Sequence, residues 1–199
     1  IFCNSTGEVI PGDKILGLLA IHEDKHNRLP NKGFVATIHS NSGLDASLKE
    51  RGINLFRANV GDRKVAEMMR KECLHLGGES SGHIVASKYL PTGDGLLTAL
   101  LVTRACYESK KSIHSLSKQI TLWPSVEGSF TVKEKIPIED WAELNSTFQK
   151  VKGFLGEQGR ILLRYSGTET KLRLLVEAVN PEKANKAYQS IAKIIEKAL

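Results

Sequence analysis

GFVATIHSNSGLDASLKERGINLFRANVGDRKVAEMMRKE, Gly33 to Glu72, is a strand, a helix, a second strand and a second helix in succession. GFVATIH is a short apolar run of strand character. The turn Ser40-Asn41-Ser42-Gly43 leads into LDASLKERG, a helical stretch that Gly52 can close. INLFRANV reads as the second strand. GDRKVAEMMRKE then sets Val65, Met68 and Met69 on one face at helical spacing. Strands alternating with helices predict an α/β layer structure with a mostly parallel sheet.

The flanks extend the pattern. Residues 1–10 read as a hairpin, with IFC and EVI as arms and Asn4-Ser5-Thr6-Gly7 as the turn. Pro11-Gly12-Asp13 offers Asp13 as the N-cap of a helix running to about Asp24, and Asn27 to Gly33 reads as a linker. Beyond Glu72, CLHLGGESSGHIVASK is strand, loop and strand. DGLLTALLVTRACYES is apolar nearly all round and is expected to be a buried helix. Ser112 can cap a short helix, SIHSLSKQI. Pro and Gly then break the periodicity in TLWPSVEGS, Thr121 to Ser129, which is read as a domain boundary.

The remainder reads as a small α+β domain, a sheet covered by two helices. SFTVKEKI is expected as a strand and residues 138–154 as mostly helical. GRILLRYS and KLRLLVEAV form a hairpin. Asn180-Pro181 starts a last helix, with Ala184, Ala187, Tyr188, Ile191, Ile194, Ile195 and Ala198 along one face.

The bulk properties bound the function. The 199 residues, 41% hydrophobic, suffice for one large or two small domains. A net charge of +6 favours anionic ligands without choosing between phosphate esters, nucleic acid and acidic surfaces. Aromatics are only 6% and do not interleave with basic residues, which argues against nucleic acid. Cys3, Cys73 and Cys106 are odd in number and contain no CxxC, so reduced thiols in a cytoplasmic protein are expected, with no disulfide framework and no zinc site. No stretch has the length of a membrane span, and no signal peptide is visible. Walker A and GxGxxG sequences are absent, no GxSxG nucleophile elbow at a strand-to-helix turn is read, since GESSG falls between two strands, and no paired metal ligands stand out. The chain opens mid-pattern at Ile1 and is expected to be part of a longer protein.

Three stretches could carry chemistry. In LLRYSGTETKLRLLVE, Leu172, Leu174 and Val176 share one strand face, so Arg173 points to the other. Arg164 ends the preceding strand. The turn between them supplies the Ser166 and Thr168 hydroxyls and backbone N–H groups around Gly167. Guanidinium forks, hydroxyls and turn N–H groups suit a phosphate; a solvated polar hairpin tip is the alternative. In GGESSGH, Glu79 can accept from sugar hydroxyls, Ser81 can donate or accept beside it, and His83 can bind an anion or move a proton. The alternative there is a flexible loop whose Glu79 takes a backbone N–H. VGDR puts Asp62 and Arg63 at a strand-to-helix junction, where α/β ligands gather, but Asp62 can equally serve as an N-cap. Ser40 to Gly43 occupies the same kind of junction.

Together these stretches resemble the C-terminal half of the phosphohexomutases, nearest to their bacterial glucosamine branch. GGESSGH is similar to the family's sugar-binding loop, GE(Q/N/M)SGH, and RYSGTETKLR to its phosphate-binding loop, RxSGTEPxxR. HSNSGL, VGDRKV and PTGDGLLTAL resemble segments of the glucosamine branch. Thr170 replaces the usual proline, and Ser80 stands where Gln, Asn or Met is common. The resemblance implies residues 1–28 as the tail of domain two, an α/β remnant. Residues 29–122 would be domain three, a three-layer α/β domain with a mixed sheet. Residues 123–199 would be domain four, a small α+β domain of the TATA-binding-protein-like kind.

The resemblance further implies an intramolecular phosphotransferase that interconverts glucosamine 6-phosphate and glucosamine 1-phosphate in amino-sugar metabolism, toward peptidoglycan precursors. A phosphoserine donor and a bisphosphorylated sugar intermediate are expected, with magnesium as cofactor. Its ligand would be a hexosamine phosphate, with no nucleic acid and no membrane, and a homodimer of the full-length enzyme is a further expectation. Glu79, Ser81 and His83 would hold the sugar, with His83 as a cleft acid or base. Arg164, Ser166, Gly167, Thr168 and Arg173 would hold the phosphate, and Asp62 and Arg63 would line the cleft. The phosphoserine and magnesium loops are expected outside this chain, so the chain alone should be inactive. The rival readings are a phosphomannomutase or phosphoglucomutase, a polyanion-binding module, and a pure interaction domain.

Overall fold

All five residues of GFVAT are buried, and they form the strand β3 (Gly33–Thr37), an inner strand of the first sheet. The computed structural model describes residues 1–199, which divide into two compact units, residues 1–122 and 123–199.

The first unit opens with the hairpin β1 (Phe2–Cys3) and β2 (Val9–Ile10), followed by α1 (Gly12–Lys25). After β3 come α2 (Ser42–Lys49), β4 (Asn54–Ala58), α3 (Asp62–Lys71), β5 (Leu76–Gly78), β6 (Ile84–Ala86), α4 (Gly95–Ser109) and α5 (Ile113–Ser117). The sheet order is β4-β3-β5-β6. β3 runs parallel to β4 and β5, while β6 folds back antiparallel on β5.

Strand alternation creates two faces. Phe34 and Ala36 join the core built with α1, α2 and α4. Val35 points the other way, into a smaller core with Val65 and Met69 of α3. The result is a three-layer α/β unit with a mixed sheet. Although α1 lies ahead of residue 29, it packs Ile15, Leu16, Leu18 and Leu19 into this same core.

Several local expectations hold. The Ser40–Gly43 turn does lead into α2, and within it Asn41, which the sequence did not single out, caps the helix by accepting the Gly43 N–H at 2.8 Å. Gly52, at φ +69°, closes that helix. The Ile53 N–H returns to the Leu48 carbonyl and the Gly52 N–H to Lys49, the paired bonds of a Schellman ending. Ser112 caps α5 through the Ser115 N–H.

Others are corrected. Asp13 is not the N-cap of α1. The helix begins at Gly12 behind Pro11, and Asp13 lies buried in the first turn, where its carboxylate accepts the Asn41 N–H at 2.8 Å. Nor does Asp62 cap α3. Gly61 holds that position, and Asp62 accepts the N–H of its neighbour Arg63. Helix α4 is not buried all round. Thr98, Leu101, Val102 and Ala105 face inward, but Leu96, Leu100 and Tyr107 are exposed. Apolar composition cannot bury a helix that meets its core along one side only.

The second unit comprises β7 (Ser125–Thr131), α6 (Ala142–Leu155), β8 (Gly159–Tyr165), β9 (Lys171–Ala178) and α7 (Pro181–Ala198). Its antiparallel sheet has the order β7-β9-β8. Leu172, Leu174 and Val176 pack against α6 and α7. Asn180 caps α7, accepting the Glu182 and Lys183 N–H groups. Ala192 is buried on this helix, and Ala198 is exposed.

Strand β7 starts at Ser125, four residues before the expected SFTVKEKI, and stops at Thr131. Gly128 obscured it, since an interior glycine reads as a breaker. Here glycine permits a close approach: a Cβ at Gly128 would fall 1.9 Å from the Tyr188 hydroxyl.

Candidate functional site

The parallel strands β3, β4 and β5 end at one edge of the first sheet, and the loops leaving them are HSNSG, VGDR and GESSGH. Ligands of α/β sheets bind at that edge. The loops are physically linked: Glu79 Oε1 accepts the Gly61 N–H at 3.0 Å, just ahead of α3. One carboxylate oxygen thus performs the structural task foreseen for Glu79. The other remains available for a ligand hydroxyl.

The sugar-loop candidate is a tight turn between β5 and β6. Glu79 N–H donates to the His83 carbonyl and Gly82 N–H to the Glu79 carbonyl, both at 2.9 Å. Gly82 sits at φ +92°, a conformation that favours glycine. Ser80, Ser81 and His83 are exposed on this turn, whereas Glu79 is half-buried.

His83 occupies a slot that the sequence did not reveal. Its Nε2 lies 3.7 Å from Asp62 Oδ2. On another side it covers Gly93, where a Cβ would stand 2.1 Å from Nε2. Val85 and Gly93 form a bridge that brings the PTGDG loop alongside. Asp94 then caps α4 through the Leu97 N–H at 2.6 Å. The structure therefore unites Asp62 with His83. Arg63 instead engages Glu67 at 3.2 Å along α3. Glu67 also accepts from Lys64, and the two cations, Lys64 foremost, hold its carboxyl below the usual range.

Two supporting residues escaped the sequence reading. Arg57 on β4 donates from Nη1 to the Thr37 and Ser40 carbonyls at 3.2 and 2.8 Å, bracing the loop after β3. A guanidinium inside the apolar run INLFRANV was the available signal. Gly12 lies against the sugar-loop turn: a Cβ there would fall 2.4 Å from Gly82 N and 2.5 Å from the Ser80 carbonyl oxygen.

The second unit carries the phosphate-loop candidate. Arg164 and Arg173 are direct cross-strand partners of β8 and β9, so their side chains leave the same sheet face. Like charges placed opposite each other destabilise a sheet unless an anion joins them. Glu169 supplies part of that charge from within the loop: its Oε2 lies 2.7 Å from Arg173 Nη2 and its Oε1 2.5 Å from Lys171 Nζ. Lys171 first and Arg173 second keep its carboxyl below the usual range.

The loop between the arginines is pinned at Ser166, which is buried. Its N–H donates to the Lys171 carbonyl at 2.8 Å, and its Oγ accepts the Glu169 N–H at 3.3 Å. Lys135, which the sequence reading passed over, donates to the Ser166 carbonyl at 2.7 Å. Tyr165 hydroxyl donates to the Ile136 carbonyl at 2.6 Å, fixing the segment that carries Lys135. Gly167 and Thr168 are exposed, and no heavy atom outside its immediate neighbours lies within 4 Å of a Cβ built at Gly167. An exposed N–H, a hydroxyl and several cations around one turn can bind an oxyanion.

Residues 11–122 match the phosphoglucomutase/phosphomannomutase α/β/α domain III, and residues 129–194 match the C-terminal domain of the same family. The chain belongs to the phosphoglucomutase/phosphomannomutase family. Among individual proteins, it is 39% identical to the phosphoglucosamine mutase of Nitratidesulfovibrio vulgaris (strain DSM 19637 / Miyazaki F), over all of this chain and 44% of that protein. The phosphoglucosamine mutase of Lawsonia intracellularis is also 39% identical, with the same coverage. The chain thus spans less than half the length of these relatives.

Solved structures share the fold. The Aspergillus fumigatus N-acetylphosphoglucosamine mutase in complex with GlcNAc-6P and magnesium superposes with a TM-score of 0.77 at 17% identity, over 98% of this chain and 49% of that one. A Burkholderia thailandensis phosphoglucomutase/phosphomannomutase family protein gives 0.74 at 20% identity, over 96% and 43%.

Magnesium does not fit the donors present. The three-donor group that the fold assembles is His22, His26 and Glu108, and two imidazoles do not suit a cation that prefers oxygen ligands.

Proposed function

We propose that this chain supplies sugar and phosphate recognition to a phosphoglucosamine mutase, an enzyme interconverting glucosamine 6-phosphate and glucosamine 1-phosphate. The observation that carries this reading is the Arg164–Arg173 pair. Two arginines leave the same face of a strand pair beside an exposed Gly167-Thr168 turn, within a chain similar along its whole length to phosphoglucosamine mutases.

Arg164 and Arg173 fork onto the phosphate oxygens, with the Gly167 N–H and Thr168 hydroxyl completing the grip. Ser166 holds the turn that presents them. Glu79 accepts from sugar hydroxyls through the oxygen not committed to Gly61, and Ser81 adds a hydroxyl beside it. His83, set between Asp62 and Gly93, lines the sugar site and can exchange a proton there. Asp62 orients that ring, and Arg63 borders the same junction. In this division of labour, the chain's residues bind and orient, while phosphoryl transfer would fall to the phosphoserine expected elsewhere in the whole enzyme. Positioning of this kind is a large part of phosphoryl-transfer catalysis. No helix here is long and apolar enough to cross a membrane, and a sugar-phosphate substrate accords with a cytoplasmic enzyme.

The test is kinetic and uses the full-length protein with glucosamine, mannose and glucose phosphates. The highest kcat/KM is expected for the glucosamine ester. Glu79→Gln should lower it by about 10- to 100-fold, the scale of one charge-assisted hydrogen bond. A preference for mannose or glucose phosphate would transfer the chain to the phosphomannomutase or phosphoglucomutase reading.

A further inference from the structure

His22 lies in the last turn of α1 and His26 is that helix's C-cap, and Glu108 of α4 meets both. His22 Nε2 lies 2.9 Å and His26 Nε2 3.4 Å from the same oxygen, Glu108 Oε2. All three donor atoms fall within 4.8 Å of one another. The HxxxH spacing is the paired-ligand signal that the sequence reading passed over.

His22 is only 3% exposed, so packing fixes its ring, while His26 and Glu108 are exposed. Donors from α1, its C-cap and α4 therefore converge on one point.

A cationic group already stands there. Arg28 Nη2 is 3.0 Å from His22 Nε2 and 3.1 Å from Glu108 Oε2. Arg28 also has a separate anchor, with Nε 3.2 Å and Nη2 3.3 Å from the Glu23 carboxylate. Glu23 in turn pairs with Arg104. The guanidinium can swing its Nη2 out of the cluster and keep its Nε bond to Glu23. Tetrahedral zinc holds ligands at about 2.0–2.2 Å, which sets neighbouring donors roughly 3.3–3.5 Å apart. The His26–Glu108 pair already has that separation, and the His22–Glu108 pair must open by only about 0.5 Å to reach it.

We propose that His22, His26 and Glu108 form a binding site for a zinc-like divalent transition-metal ion that ties α1 to α4, with Arg28 as its internal competitor. Two imidazoles and one carboxylate leave a fourth position for water. The donor set selects zinc, cobalt or nickel over magnesium or calcium.

The test is calorimetric titration of the 199-residue chain with Zn²⁺ under a non-thiol reductant, paired with NMR of the histidine side chains. One ion per chain should bind, and His22 and His26 should respond before the other four of the six histidines. His26→Ala, at an exposed position, and Glu108→Gln should each weaken binding at least about tenfold. Arg28→Gln should tighten it by removing the competitor. Thermal unfolding without metal serves as the folding control for each variant. Unchanged affinity in His26→Ala, or a first response at His39, His75, His83, His114 or the cysteines, would overturn the proposal.

Discussion

Replacing Gly12 with alanine sets a side chain against backbone. Gly12 is the first residue of α1, where alanine by itself gains about 0.5–1 kcal/mol of helix preference. Its Cβ, however, would fall 2.4 Å from Gly82 N, 2.5 Å from the Ser80 carbonyl oxygen and 2.7 Å from Gly82 Cα. None of these atoms can rotate away. Either α1 or the GESSGH turn must move, at a cost of roughly 1–3 kcal/mol. The net expectation is a loss of about 0.5–2 kcal/mol.

With about 2.1 cal/mol/K of unfolding entropy per residue, a unit the size of residues 1–122 shifts by about 4 °C per kcal/mol. The unfolding midpoint should therefore drop by about 2–8 °C. Gly95→Ala is the matched control. Gly95 also begins a helix, but no heavy atom outside its immediate neighbours lies within 4 Å of its Cβ position, so it should be neutral or stabilising. Far-UV circular dichroism melts of the two variants provide the comparison, with Ser80–His83 amide shifts reporting the loop. If Gly12→Ala melts level with or above Gly95→Ala, the argument that α1 buttresses the sugar loop fails.

Gly93→Ala should act differently, since the atoms it meets belong to the half-exposed His83 ring, which can swing outward. Stability should change by less than about 1 kcal/mol, while the His83 side-chain resonances lose their dependence on Asp62. Gly128→Ala should destabilise the second unit through its clash with Tyr188, and adding Tyr188→Phe should restore part of the urea midpoint. Glu169→Gln removes the loop's own anion and should strengthen inorganic phosphate binding in a titration near neutral pH. The Glu169 contact with Lys171 and Arg173 is complete above the usual carboxylate pKa and fades as pH falls through the lowered folded value, which a carboxyl carbon NMR titration reads directly. The 199-residue chain alone should show no mutase turnover in a coupled assay; activity surviving repurification would place the missing chemistry within it.

The α/β alternation was legible because Gly33–Glu72 is locally consistent: strand propensity, the Ser40–Gly43 turn and the Gly52 ending agree. Both candidate loops could also be read, since glycine, hydroxyl and charged residues concentrate between apolar strands. What resisted reading depends on distant partners. Gly128 resembles a breaker until Tyr188 is placed over it. Asp13 resembles a cap until Asn41 reaches its carboxylate. The apolar face of α4 shows its exposure only once the sheet covers the opposite side. Arg57, Lys135 and Gly93 support the candidate loops from other elements, and the family comparison supplied the class that no single motif established.

The proposed function assigns phosphate to one loop and sugar to the other. An amide NMR titration of the chain with inorganic phosphate, mannose 6-phosphate and glucosamine 6-phosphate tests it most directly. All three ligands should shift Arg164–Thr168, and only the two sugar phosphates should also shift Glu79–His83, with glucosamine 6-phosphate giving the larger response. A Glu79–His83 response to inorganic phosphate as strong as that to the sugars, or silence at Arg164–Thr168 toward all three, would contradict it.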